Sequence, residues 1–253
     1  MMSELAGKVA VITGASGGIG AATARLMHSR GARVVLADLD EGALAALAAE
    51  LGGDAAWLRC DVTQEADNAA MVQTALERFG RLDIAVLNAG IEGRAGPIGE
   101  NSVENFDRVM AVNVRGVFLG LSKAMPAMQA NGGSIILLSS TAGRKGTPNM
   151  SPYVTSKHAV MGMMKCAAIE GAPHGIRVNT VNPGPISTRM MAAIEQDFAP
   201  EDPGGAHEQF VQSIPLGRYG KAEEVAELIA FLASDRASYC AGEYYGVDGG
   251  QTA

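Results

Sequence analysis

Cysteine is scarce in this 253-residue chain: Cys60, Cys166 and Cys240 stand far apart and make no C-x-x-C pair. A scattered, odd-numbered set is no disulfide framework and reads as buried free thiols in a reducing compartment. Long apolar runs are absent too, and none approaches the roughly 20 residues that span a bilayer. Residues 1–8 have neither the basic start nor the apolar stretch of a signal peptide. A cytoplasmic location is therefore expected. Blocks of like charge are also missing. The net charge of −7 is spread over interspersed acids and bases, which argues against a nucleic-acid or membrane partner. His28, His158, His174 and His207 show no ligand spacing, so no metal site is expected. With no Pro/Ser-rich linker, composition shift or repeat, residues 1–253 read as one domain.

What is present is apolar residue, 47% against 19% charged, enough for a substantial core. Short apolar runs alternate with longer segments of helical period. Strands are expected at 8–13, 33–37, 55–60, 83–87, 134–139, 177–181 and 244–247. Helices are expected at 18–30, 41–51, 65–79 and 103–128, from Ser151, and from near Lys221. Gly31, Gly52 and Gly80 close the first three, and Pro126 is tolerable only near the end of the fourth. Runs apolar on both faces, interleaved with helices, imply a parallel sheet covered on both sides. Right-handed crossovers make that sheet doubly wound. Residues 187–215 break the rhythm, and a connection of that length suggests a lid at about 187–215.

The first strand runs into Thr13-Gly14-Ala15-Ser16-Gly17-Gly18-Ile19-Gly20 and then a helix. Such a turn lets backbone N–H groups approach a pyrophosphate at a helix N-terminus. Its spacing is G-x-x-x-G-x-G, not the more familiar G-x-G-x-x-G, and glycines also cap ordinary strand-to-helix turns. Asp38, at the end of the second strand, stands where a carboxylate takes the adenosine ribose hydroxyls. It would repel a 2′-phosphate, and neither Gly17 nor Leu39 offers a compensating cation, so NAD is favoured over NADP.

Ser151-Pro152-Tyr153 opens a helix, with Ser151 the expected N-cap and Pro152 the first helical residue. Tyr153 and Lys157, one turn apart, share a face. A phenol with a pKa near 10 is a poor base at neutral pH. An ammonium at about 4 Å would favour the phenolate by up to about 4 kcal/mol. Ser140 follows the fifth strand, where strand ends and helix starts line one crevice, and could donate to a substrate oxygen while Tyr153 handles its proton.

Taken in order, these pieces resemble the short-chain dehydrogenase/reductase family over essentially the whole chain. The matching residues are Gly14, Gly18 and Gly20; Asp61-Val62; Asn88-Ala89-Gly90; Asn113; Ser140; Tyr153 with Lys157; Pro183-Gly184; and Asp248-Gly249-Gly250. Leu87 departs from the pattern, where the family often has a second Asn. The resemblance implies a Rossmann-type α/β domain with a seven-stranded parallel sheet and a bound NAD. It implies that Asp61 and Val62 flank the adenine, and that Asn88, Ala89 and Gly90 support the sheet and the adenosine side. Ser16, Ile19 and Leu39 would join the cofactor set, as would Pro183, Ile186 and Thr188 beside the nicotinamide. Lys157 would also hold the nicotinamide ribose, and Asn113 would anchor a water serving Lys157. A homotetramer is implied, pairing helices 103–128 and 151–172, with residues 244–253 at another interface.

Three functions compete. The leading one is hydride transfer between NAD and a small alcohol or ketone, with Ser140, Tyr153, Lys157 and Asn113 catalytic. A ketoacyl-carrier-protein reductase is the nearest rival, but Asp38 disfavours NADP, and residues 128–131 and Pro173-His174 lack the cations an acidic carrier needs. A non-catalytic NAD-responsive regulator would not need all four residues. Met190, Met191, Ile194, Phe198 and Phe210 in the lid point to a neutral, mostly apolar, cyclic or aryl-bearing substrate, with 200–205 a hinge and Arg189 the one cation at the mouth.

Overall fold

The computed structural model describes residues 4–253. Seven strands pair in one sheet: β1 (Val9–Thr13), β2 (Arg33–Asp38), β3 (Ala55–Arg59), β4 (Ile84–Leu87), β5 (Gly133–Leu138), β6 (Ile176–Pro183) and β7 (Tyr244–Val247). Their order is β3-β2-β1-β4-β5-β6-β7, and every pairing is parallel. The chain winds outward from β1 to β3, then returns to build the other half from β4. Between β1 and β4 the winding reverses, which opens a crevice beyond their carboxyl ends.

The interleaved helices are α1 (Gly18–Ser29), α2 (Glu41–Leu51), α3 (Glu65–Phe79), α4 (Val103–Met110), α5 (Gly116–Met128), α6 (Ser151–Gly171), α7 (Arg189–Phe198), α8 (Pro203–Gln212) and α9 (Ala222–Ala233). Alternation along β1 shows why a central strand is apolar on both faces. Val9 and Val11 face a core shared with Met71 of α3, Leu121 of α5 and Val160 of α6. Ala10 and Ile12 face the opposite core, with Met27 of α1, Leu44 of α2 and Ile229 of α9. Both faces are dry, so the strand interiors are mostly apolar and the buried polar exceptions, such as Thr13 and Ser134, are hydrogen-bonded.

Departures from the sequence reading have local causes. β3 ends one residue early and is half-exposed, because it forms an edge of the sheet. The long fourth helix is continuous but carries a π turn, Ala111–Arg115, between α4 and α5. Met150, not Ser151, is the N-cap of α6, which moves Pro152 to the second helical position. The lid region is two helices. Thr188 caps α7 by accepting from Met191 N (3.4 Å), and Asp202 caps α8 by accepting from Gly205 N (2.9 Å). Residues 200–205 thus include a capped helix start. Of the thiols, only Cys60 is buried; Cys166 is exposed and Cys240 half-buried.

Candidate active site

The turn after β1 is folded tightly on itself. Gly14 has a φ of +65°, and a Cβ built on Gly20 would lie 2.1 Å from the Gly14 carbonyl oxygen. Only glycine tolerates both conditions. α1 begins with no side-chain cap and no acid in its first turn, so its amide groups and dipole stay open to an anion. Asp38 grips this turn from β2: its carboxylate accepts from Ser16 N (3.0 Å) and Leu39 N (2.7 Å). Asn88, just past β4, pins the turn from the other side, donating from Nδ2 to Thr13 O (2.9 Å) and Gly14 O (3.1 Å).

Beyond these strand ends lies a cleft of about 950 Å³. Gly14, Ser16, Gly18, Ile19, Gly20, Asp38, Leu39, Asp61, Val62, Asn88, Ala89, Gly90 and Thr188 all line it. Cys60, Ile91, Glu92 and Val112 line it as well and were not anticipated; only their place beside the expected residues could have signalled them. Part of the Asp61 carboxylate is spent locally, accepting from Thr63 N (3.0 Å) and Thr63 Oγ1 (2.8 Å). An open helix N-terminus, flanked by a carboxylate at the end of β2, is a donor and acceptor set that fits a dinucleotide.

Ile19, Asn88, Gly90, Thr188 and Met190 also line an adjoining cavity of about 560 Å³. Ser140, Tyr153 and Lys157 come together on its wall, and Pro183 and Ile186 lie here rather than in the first cleft. Met190, Met191 and Ile194 of α7 face it, with Phe198 and Phe210 packed edge-on at 5.5 Å. Arg189 belongs to the dinucleotide cleft; the exposed cation on this second cavity is Lys145, which the sequence reading passed over. Ser140 Oγ accepts from Ala142 N (3.1 Å), and its backbone carbonyl is held by Asn182 Nδ2 (3.0 Å).

Asn113 lines neither cavity. It is 1% exposed, and the π turn directs its side chain onto the loop after β4. Oδ1 accepts from Ile91 N (2.8 Å), while Nδ2 donates to Ile91 O (2.8 Å) and Ser156 Oγ (3.0 Å). Asn113 therefore joins the β4 loop to α6, and a Cβ built on Gly90 would meet both Asn113 Oδ1 (3.3 Å) and Lys157 Nζ (3.4 Å).

Burial dominates the electrostatics of Tyr153 and Lys157. Burial pushes the Tyr153 phenol up to about 12; the Ser140 hydroxyl opposes this and the Glu92 carboxylate adds to it. Burial lowers Lys157 to about 8. Its ammonium donates to Leu138 O at 2.8 Å and stands 5.4 Å from the centre of the tyrosine ring. Burial is thus the largest influence on both groups. At neutral pH Tyr153 carries its proton and is equipped to donate it to a carbonyl oxygen.

Known proteins share this architecture. Residues 14–252 match the family model described as Enoyl-(Acyl carrier protein) reductase. The chain is 41% identical to levodione reductase of Leifsonia aquatica over 252 residues, covering 97% of this chain and 94% of that one. It is 40% identical to cyclohexanol dehydrogenase of an Acinetobacter species, covering 100% of this chain and 98% of that protein. The crystal structure of 3-ketoacyl-(acyl-carrier-protein) reductase from Brucella melitensis, complexed with NADH, superposes with a TM-score of 0.90 at 37% identity, covering 98% of this chain and 100% of that one. A seven-stranded parallel Rossmann-type sheet and full-length kinship at this level lead to one conclusion: the chain is an oxidoreductase of the short-chain dehydrogenase/reductase family.

Proposed function

We propose that this enzyme is NAD(H)-dependent and interconverts a mostly apolar, ring-bearing secondary alcohol and its ketone. One observation carries the reading: Ser140, Tyr153 and Lys157 line a cavity that opens, through Ile19, Asn88, Gly90 and Thr188, onto the cleft that fits a dinucleotide. Asp38 supports NAD over NADP, since its carboxylate borders the turn and would repel a 2′-phosphate there. When bound, NAD(H) supplies the hydride acceptor or donor.

The protein's own part is the proton. Tyr153 donates its phenolic proton to the ketone oxygen in reduction and is left as the phenolate; in oxidation that phenolate form takes the proton of the alcohol. Ser140 hydrogen-bonds that oxygen and stabilises the charge developing on it. Lys157 holds the floor through Leu138 O and adds positive charge beneath the phenol. Asn113 acts through position, fixing the β4 loop against α6.

The apolar lid residues and the named activity of the Acinetobacter relative both favour a ring alcohol. Carrier-protein reduction has less support, because Asp38 and the uncharged stretch at 128–131 offer nothing to NADP or to an acidic carrier. We further place the enzyme in the cytoplasm, and no described helix is long and apolar enough to cross a membrane. We assign it a homotetramer, to which exposed Phe106, Phe118 and Ile169 on α4, α5 and α6 would contribute.

The test follows NADH oxidation with cyclohexanone, aryl ketones, sugars and keto acids. Ring ketones should show the highest kcat/KM, and Tyr153→Phe should remove most turnover while leaving NADH binding nearly intact. Near-normal kcat in that variant, or preference for the sugars, would reject the reading.

A further inference from the structure

The second cavity is apolar on its lid side, yet its charge is one-sided. Although the chain has 27 acidic and 20 basic residues, no carboxylate lines this cavity, and its charged lining residues are Lys157 and Lys145. Lys157 is buried and committed to Leu138 O. Lys145 is different. It lies five positions beyond Ser140 on the loop leading to α6, with its side chain in no hydrogen bond or ion pair among the described residues.

Its neighbour shows the contrast. Arg144 turns away from the cavity, donating to Thr252 Oγ1 (2.8 Å) and Tyr244 Oη (3.2 Å) and stacking 4.3 Å over the Tyr244 ring. Of two adjacent cations, one is consumed by the C-terminal strand and tail, and the other is left on the cavity. A cation with no protein partner, facing a concave surface without acids, gives that surface a positive potential that favours an anionic or strongly accepting group.

We infer that Lys145 determines specificity by binding an oxygen acceptor, above all a carboxylate, carried by the substrate ring away from the reacting carbon. This rests on the ring-alcohol reading and refines it. The lid side takes the hydrocarbon, Tyr153 and Ser140 take the reacting oxygen, and Lys145 takes the second oxygen group. The expectation of an uncharged substrate rested on the apolar lid residues, with Arg189 as the one cation at the mouth; the lid residues do line this cavity, but its exposed cation is Lys145.

The experiment compares 4-hydroxycyclohexanecarboxylate with cyclohexanol, each with NAD, and reads the ratio of their kcat/KM values within each variant. In Lys145→Met and Lys145→Gln the ratio should fall roughly tenfold or more, about 1.4 kcal/mol, mainly through KM. Lys145→Arg should keep most of it. Raising ionic strength should lower the wild-type ratio and leave that of Lys145→Met flat, as expected for a solvent-facing charge. Replacing the carboxylate with a ring carbonyl, in 4-hydroxycyclohexanone, should give a smaller Lys145 effect of the same sign. An unchanged ratio in Lys145→Met and Lys145→Gln, with cyclohexanol still turned over, overturns this inference alone. Absence of turnover with both ring alcohols rejects the function reading and the inference with it.

Discussion

Gly20→Ala is the most direct probe of the turn that receives the cofactor. The added methyl would lie 2.1 Å from the Gly14 oxygen, 2.9 Å from the Gly14 carbonyl carbon and 3.0 Å from Ala15 Cα, all backbone atoms. Ordinary carbon contacts lie near 3.5 Å, so the Gly14 carbonyl has to move by about an ångström. That carbonyl accepts from Gly17 N and Asn88 Nδ2, both at 3.1 Å, and the movement weakens both bonds. Each bond is worth about 1 kcal/mol and overpacking roughly 1–3 kcal/mol, offset by about 1 kcal/mol from alanine's helix propensity. The net loss is about 2–4 kcal/mol. If the turn keeps its shape, Tm falls by roughly 5–15 °C. If it relaxes, NADH binding weakens by roughly 30-fold to 1,000-fold instead. Thermal melts and NADH fluorescence titrations measure both. Gly53→Ala, with nothing within 4 Å of its new methyl, is the control. A Gly20→Ala variant matching wild type in both measurements would refute the packing argument for this turn.

Other expectations are equally open to measurement. NAD should exceed NADP in kcat/KM by roughly tenfold or more, a margin of about 1.4 kcal/mol. Asp38→Ala should narrow the gap from both sides, because it removes a repulsive charge and also the acceptor for Ser16 N; equal wild-type efficiencies would dismiss it. Lys157 has a folded pKa of about 8, below its ordinary value of 10.5, so the cost of burying its charge is complete below pH 8. Between those two values the unfolded chain holds the extra proton, so stability rises with pH. Wild type should therefore gain about 2–3 kcal/mol relative to Lys157→Met between pH 7.5 and 10 in urea titrations, and a flat difference would contradict this. Light scattering at micromolar concentration should return a tetramer mass, and a monomer mass would end that assignment.

The order of elements was legible in the sequence because it is written locally. Strands buried on both faces read as apolar runs, as over Val9 to Ile12 of β1, and helix ends carry their own signals, as at Gly80, whose φ is +79°. The dinucleotide turn was legible for the same reason, since Gly14 and Gly20 meet within seven residues. Spacing along one helix also placed Tyr153 and Lys157 on a common wall.

Tertiary packing decided what depends on distant groups. The direction of the Tyr153 pKa follows from burial by several elements, opposed by the Ser140 hydroxyl from another strand end. The hydrogen-bond partners of Asn113 were hidden because a π turn inside an otherwise regular helix directs its amide onto Ile91 and Ser156. Arg189 and Lys145 exchanged places in the account for a like reason. A residue's cavity is set by how the lid helices and the loop after β5 pack around the crevice, and no local pattern of side chains records that packing.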